Sequence, residues 1–203
     1  MKALVFDLET TGIPNKTENN LYFPYKLLSY YKRSRIVSIC MMLYDTNQKK
    51  IQKVLAQIVK PSYDKSFYSE AEKIHKISYE QAEKEGVEFK HLCADIESLI
   101  NECDVIVSHN IGFDYSILLS ELYRANHDLG PLINSKRLYC TMLAGASKVK
   151  GADTIKLPEL YKALTNKDME ERHESKYDTI HCLVCFDKLL NESAEYFELG
   201  YYN

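Results

Sequence analysis

Apolar and polar positions follow two different periods along this chain, and the change of period marks out its elements. Ala3-Leu4-Val5-Phe6 is continuously apolar and reads as a buried strand that runs straight into Asp7-Leu8-Glu9-Thr10-Thr11-Gly12. A second strand is predicted over Ile36 to Leu43, and the alternation from Ile51 to Val59, stopped by Pro61, predicts a third. Tyr44-Asp45-Thr46-Asn47-Gln48 has the spacing of a hairpin, so these three strands should form an antiparallel meander. Further on, the period lengthens. Ser69 to Glu85 is polar and helix-prone, and Phe89, Leu92, Cys93, Ile96, Leu99 and Ile100 repeat as on an amphipathic helix over Phe89 to Ile100. Asp104 to Ser108 is a short buried strand, followed by a helix over Tyr115 to Arg124. Leu138 to Thr141 reads as a fifth strand, with a helix after it that breaks near Gly151. Leu157-Pro158 opens another helix, and the last spans Lys176 to Asn191, facing inward with Ile180, Leu183, Val184, Phe186, Leu189 and Leu190. Hairpin strands followed by alternating strands and helices imply an α/β fold, one mixed sheet with helices on both faces.

The connection from Pro14 to Arg35 breaks this economy, because compact domains usually join their elements in about 2 to 6 residues. Within it, Leu21-Tyr22-Phe23-Pro24-Tyr25-Lys26 and Tyr30-Tyr31-Lys32-Arg33-Ser34-Arg35 interleave aromatics with bases. Such a mixture suits single-strand binding, with rings to stack bases and charges to meet phosphates. It equally suits a small helix or hairpin whose tyrosines pack on the domain.

Composition narrows the classes. The 203 residues, 45% hydrophobic and 27% charged, suit a single globular domain over 1–203 with a substantial core. A net charge of -3 gives no global basic field, so a nucleic-acid partner would need local basic patches or bound cations. Met1-Lys2 leads directly into the first strand without a signal-peptide pattern, and no apolar run approaches the roughly 18 residues of a membrane span. A soluble, intracellular protein with no membrane partner is expected. The 6 cysteines lie among apolar neighbours as reduced core thiols, and Cys182-x-x-Cys185 has no second pair to complete a metal site.

The chemistry starts at Asp7 and Glu9. Two residues apart on a strand, they project to one face at its end, where like charges repel unless something positive lies between them. A divalent cation with oxygen ligands would serve, and a strand fraying into a solvated acidic turn is the alternative. Asp114 follows the fourth strand and Asp178 lies in the last helix. Each alone has an ordinary reading, as a helix N-terminal acid or a solvated one.

Three motifs in order resemble the DnaQ-like 3′-5′ exonucleases, the acidic and histidine-bearing branch of the RNase H-like superfamily. They are Phe6-Asp7-Leu8-Glu9-Thr10-Thr11-Gly12, His109-Asn110-Ile111-Gly112-Phe113-Asp114 and His173-Glu174-Ser175-Lys176-Tyr177-Asp178. Smaller echoes are Ile74-His75-Lys76-Ile77-Ser78 and Lys156-Leu157-Pro158-Glu159-Leu160. The chain departs from the family at Ser175 and Thr179, where alanine is frequent, and at Cys140, where an acid often precedes the threonine.

The resemblance implies an RNase H-like five-stranded sheet, antiparallel over its first three strands and then parallel. It implies hydrolysis of phosphodiesters at a 3′ end with release of nucleoside 5′-monophosphates, DNA being favoured. Two Mg²⁺ ions, replaceable by Mn²⁺, would sit on Asp7, Glu9, Asp114 and Asp178, with His173 taking the proton of the attacking water. Thr10, His75 and Phe113 match positions that hold the terminal nucleotide, and Lys148, Lys150 and the 26–35 stretch are candidates for phosphate contacts. Action on RNA or short oligoribonucleotides, or a non-catalytic 3′-end-binding or proofreading subunit with a polymerase or replication partner, are the alternatives the same motifs allow.

Overall fold

The computed structural model describes residues 1–147, 152–169 and 173–192. Five strands form one sheet: β1 (Lys2–Thr10), β2 (Ile36–Asp45), β3 (Lys50–Ile58), β4 (Val105–Ser108) and β5 (Arg137–Cys140), in the order β3-β2-β1-β4-β5. β1 and β2, and β2 and β3, pair antiparallel, whereas β4 joins β1 and β5 joins β4 in parallel. The mixed five-stranded sheet expected from the sequence is the one observed. The described residues also form eight α-helices, α1 (Ser69–His75), α2 (Tyr79–Glu85), α3 (Phe89–Glu102), α4 (Ile111–Arg124), α5 (Gly130–Asn134), α6 (Thr141–Ala146), α7 (Leu157–Thr165) and α8 (Ser175–Glu192), and two short 3-10 helices, Leu28–Tyr31 and Lys65–Phe67.

The parity of β1 distributes the core. Leu4, Phe6 and Leu8 point to one face, where Leu92, Ile96 and Ile100 of α3 and Ile117, Leu118 and Leu122 of α4 cover them. Ala3 and Val5 point to the other, under Leu160 of α7 and Cys182, Phe186 and Leu189 of α8. Asp7 and Glu9 continue this second parity, so the two acids emerge on the α8 side of the sheet. α6 lies close against α7 here: a Cβ on Gly145 would come within 2.5 Å of Leu160, so glycine permits the approach.

Three elements depart from the sequence expectation. The helical stretch from 69 to 85 is two helices, because Lys76 takes a left-handed backbone (φ 60°) and Ser78 starts α2 by accepting from the Gln81 N–H at 3.0 Å. α4 begins at Ile111 rather than Tyr115, since Asn110 turns sharply out of β4 with φ 67° and places Asp114 inside the first turn. On α8, Ile180 is not part of the packed face: it is 39% exposed, and Thr179, Cys182 and Cys185 take the inward positions. All six cysteines are buried and free, as expected of core thiols. The expected break near Gly151 lies outside the described residues. No helix among them is long and apolar enough to cross a membrane.

For the tyrosines at 30 and 31 of the long connection, the packing alternative is the one observed. A 3-10 turn over Leu28–Tyr31 buries Tyr31 completely, with its hydroxyl donating to the Phe23 carbonyl. Tyr30 stacks on Phe23 at 3.6 Å between centroids and 9° between planes. The segment then returns to β1: the Thr11 N–H donates to the Arg35 carbonyl at 2.9 Å, and the Arg35 N–H donates to Thr11 Oγ1 at 3.0 Å. A long connection is thereby clamped to the residues that follow Glu9.

Candidate active site

β1 ends in a β-bulge between Glu9 and Thr10, with Asp7 and Glu9 on the α8 face. The first turn of α8 brings Asp178 to the same place. Asp7, Glu9 and Asp178 each offer a carboxylate oxygen, and these oxygens all lie within 4.8 Å of one another. α8 is held at this depth by its own hydroxyls. Ser175 Oγ lies 3.0 Å from Ser38 Oγ on β2, and Thr179 Oγ1 donates to the Ser175 carbonyl at 2.6 Å and reaches the Cys40 carbonyl at 3.4 Å. Ser175 and Thr179 thus tie this helix to the sheet.

Asp114 enters from the opposite side, across the end of β4. It is 3% exposed, and Ser108 Oγ donates to its Oδ2 at 2.7 Å. Neither Ser108 nor its role stood out in the sequence, where the only signal was a small hydroxyl closing an apolar strand.

The electrostatics follow from this convergence. Burial first, then the neighbouring charges of Asp114, Glu9 and Asp178, drive Asp7 well above the usual carboxylate range. Glu9 is pushed up to about 9 by burial, Asp178, Asp114 and Glu174, in that order. Burial also raises Asp114, opposed by the hydrogen bonds from Ser108 and the Leu8 backbone. Acids gathered this closely hold protons against their nature unless a cation supplies the missing charge, and an all-oxygen donor set suits hard divalent ions such as Mg²⁺ or Mn²⁺. The residues present therefore fit a divalent metal.

Beside the acids runs a cleft of about 700 Å³, lined by Asp7, Asp178, His173, His109, Met142 and the segment Thr154 to Glu159. His173 is exposed, two residues ahead of α8, with a left-handed backbone (φ 51°) that is uncommon for a residue other than glycine. His109 holds the wall together: its ring meets Thr141 Oγ1 at 3.0 Å through Nδ1 and the Ile155 carbonyl at 2.9 Å through Nε2. Since a carbonyl only accepts, Nε2 carries the hydrogen and Nδ1 accepts from the threonine. Burial lowers this imidazole to about 4, against the opposing pull of the Ile155 bond. His109 was legible as part of a motif but not as a tether, because its partners lie far along the chain.

The remaining expected contacts divide. Thr10 is half-buried directly after Glu9, its hydroxyl donating to the Gly12 carbonyl at 3.1 Å. Phe113 is half-buried beside Asp114 and meets the ring of Tyr22 edge-on at 6.5 Å. His75 is buried to 2% exposure against the Tyr68 ring, and its Nδ1 accepts from the Ile77 N–H at 3.1 Å. Burial lowers it to about 4, so it is a neutral ring supporting the turn between α1 and α2. Lys148 and Lys150 lie outside the described residues.

Comparison with known proteins agrees with this arrangement. Among solved structures, the zinc-bound complex of Escherichia coli exonuclease I with single-stranded DNA is similar with a TM-score of 0.69 at 16% identity, covering 97% of this chain and 42% of that one. Exonuclease I from the moderately thermophilic Methylocaldum szegediense is similar with a TM-score of 0.69 at 15% identity, covering 96% and 41%. The chain thus spans about two fifths of the length of these proteins, and at such identities the likeness is one of fold. No curated protein sequence matches it. A family model described as Exonuclease matches residues 4–186, and with most of its length and its converging acids inside that match, the chain belongs to the exonuclease family.

Proposed function

We propose that this chain is a metal-dependent 3′-5′ exonuclease that releases nucleoside 5′-monophosphates from single-stranded nucleic acid, DNA in preference to RNA. The observation that carries the reading is the meeting of Asp7, Glu9 and Asp178 oxygens within 4.8 Å, on residues 4–186 of an exonuclease match. The preference for a single DNA strand is supported by the complexes of E. coli exonuclease I with dT13 and dA16 oligonucleotides, whose fold this chain shares.

Asp7, Glu9, Asp114 and Asp178 are the residues that would hold the metal, in the two-ion arrangement the family resemblance implies. Bound there, divalent ions supply an activated water and neutralise charge on the phosphate and the leaving 3′ oxygen. The chain's own residues supply the rest. Ser108 orients the Asp114 carboxylate, and the tie between Ser175 and Ser38 fixes where Asp178 points. His173, on the cleft wall with Asp7 and Asp178, is assigned as the base that takes the water's proton, the role histidine most often fills in such catalysis. Thr10 and Phe113 flank the acids and are assigned to the terminal nucleotide.

The test is direct. A 3′-labelled single strand incubated with the protein should lose its terminal nucleotide in Mg²⁺ and stay intact in chelator. Cleavage that persists without metal, or binding without any cleavage in Mg²⁺, overturns the reading. DNA and RNA strands of equal sequence, compared side by side, decide the substrate preference.

A further inference from the structure

A second concavity lies on the other side of the β1 terminus, where the long connection returns to the sheet. It has a volume of about 490 Å³ and is lined by Lys32, Arg35, Arg124, Tyr63 and Phe67 together with Asp64 and Ser66. Its floor is an ion pair. The Arg35 side chain is 8% exposed and that of Glu121 5%; Arg35 donates to both Glu121 oxygens through Nε and Nη2, and through Nη2 also to Ser62 Oγ at 3.0 Å. Arg124 shares the same carboxylate, with its Nε 3.3 Å from Glu121 Oε1, and keeps its side chain 25% exposed. A buried pair of this kind adds little net stability, but it fixes guanidinium groups in place. The Arg35 guanidinium lies over the Tyr63 ring at 4.8 Å and that of Arg33 over Phe67 at 5.2 Å, and the two rings are near-parallel, 14° apart.

The rim is where the charge is left over. Lys32 and Arg33 are exposed, and among the described residues neither has an acidic partner within ion-pair distance. Lys32, Arg35 and Arg124 line the pocket together with Asp64, and the Arg33 guanidinium lies over Phe67 beside them, so a chain with net charge -3 concentrates positive charge here. The location matters as much as the sign. The Thr11 hydroxyl donates to the Arg33 carbonyl at 2.8 Å, which joins the rim to the residues directly after Glu9. On α4, Arg124 stands ten residues beyond Asp114, which at 1.5 Å per residue is about 15 Å along the helix axis. A stacked strand advances roughly 3.4 Å per nucleotide, so about four nucleotides span that distance.

Resting on the nuclease reading above, we propose that this basic and aromatic pocket is a second nucleic-acid site, which grips the phosphate backbone of the substrate strand about four nucleotides upstream of the 3′ end. A polyanion is the occupant that the leftover charge favours. Cations on aromatic faces along a groove form the sequence-independent grip used on single strands. The site gives the enzyme hold on a long strand that a short one cannot exploit.

The experiment compares the wild type with Lys32→Glu/Arg33→Glu, both exposed positions, and with Lys84→Glu on the exposed face of α2 as a charge control. Binding of fluorescein-labelled oligothymidylate of about twelve nucleotides is followed by anisotropy in chelator across a salt series. Cleavage of that strand and of a trinucleotide is followed in Mg²⁺. The double variant should bind the long strand at least about tenfold more weakly, with a salt slope shallower by about 1.4, as expected for two lost phosphate contacts on a single strand. Its kcat/KM on the trinucleotide should equal that of the wild type. Unchanged long-strand affinity, an equal loss from Lys84→Glu, or an equal loss on the trinucleotide overturns the proposal. The binding arm needs no cleavage, so an inert wild type would overturn the nuclease reading while the loss of affinity still reported on the pocket.

Discussion

Ser108 closes β4, Asp114 lies in the first turn of α4, and a short hydrogen bond joins the serine hydroxyl to the buried carboxylate. With Ser108→Ala, Asp114 loses its side-chain donor and keeps the hydrogen bond from the Leu8 backbone. A partner of a metal-ligating carboxylate typically carries about 10- to 100-fold of metal affinity. The Mg²⁺ concentration for half-maximal cleavage should therefore rise by about tenfold, with the rate recovering at saturating Mg²⁺; an unmoved midpoint would show that Asp114 orients itself. His173→Ala carries a different signature. Losing a general base should lower the rate near pH 7 by about a hundredfold or more at any metal concentration, with binding in chelator unchanged. The difference between these residues also says what the sequence could show. Asp7 and Glu9 were legible because a strand's period of two puts them on one face. Ser108, and His109 with its ties to Thr141 and Ile155, act on partners that only the fold brings near.

At the scale of elements, the strands were legible almost to the residue, because β1, β2 and β4 are apolar runs bounded by charge or turn residues. The faces of α8 were less so. Its pattern offers Ile180 and Leu183 equally to a core, but the ties of Ser175 and Thr179 to β2 rotate Thr179 and Cys182 inward and leave Ile180 in solvent. Ile180→Glu should then change urea-unfolding stability by no more than about 0.5 kcal/mol, as surface substitutions do, whereas Phe186→Ala on the buried face should cost about 3 to 5 kcal/mol. The long connection was the least legible element. Its mixture of rings and bases reads as a strand-binding surface, but Tyr30 and Tyr31 are spent on packing. Among its bases, Lys32 and Arg33 are exposed beside the residues that follow Glu9, where the Thr11 hydroxyl meets the Arg33 carbonyl. Tyr31→Ala should accordingly act on the fold, lowering stability by about 3 to 5 kcal/mol, a loss to be read from urea unfolding in the presence of Mg²⁺.

For the molecule as a whole, the acid cluster and the buried histidines pull stability in opposite directions with pH. Glu9, raised to about 9, favours the folded state only while protonated. Its contribution is full below its unfolded value near 4.5 and is lost as pH rises toward 9, and Asp7 and Asp114 have the same sign. His75 and His109, each lowered to about 4, fold neutral: their contribution is full above about 6.5 and is lost as pH falls toward 4. In chelator three raised carboxylates outweigh two lowered imidazoles between about 4.5 and 6.5, so stability already falls through that window and its maximum lies near the acid end of it. Mg²⁺ changes only one limb. Ions on the carboxylates favour their charged form and stabilise the native state by mass action, so the alkaline fall should flatten and the optimum should move above about pH 6.5, while the acid limb stays where the histidines put it. Thermal unfolding from pH 5 to 9, with chelator and with Mg²⁺, measures both limbs in one series. An optimum that ignores Mg²⁺ would show that these acids are held by protons and by the sheet alone, and the metal assignment would fall with it.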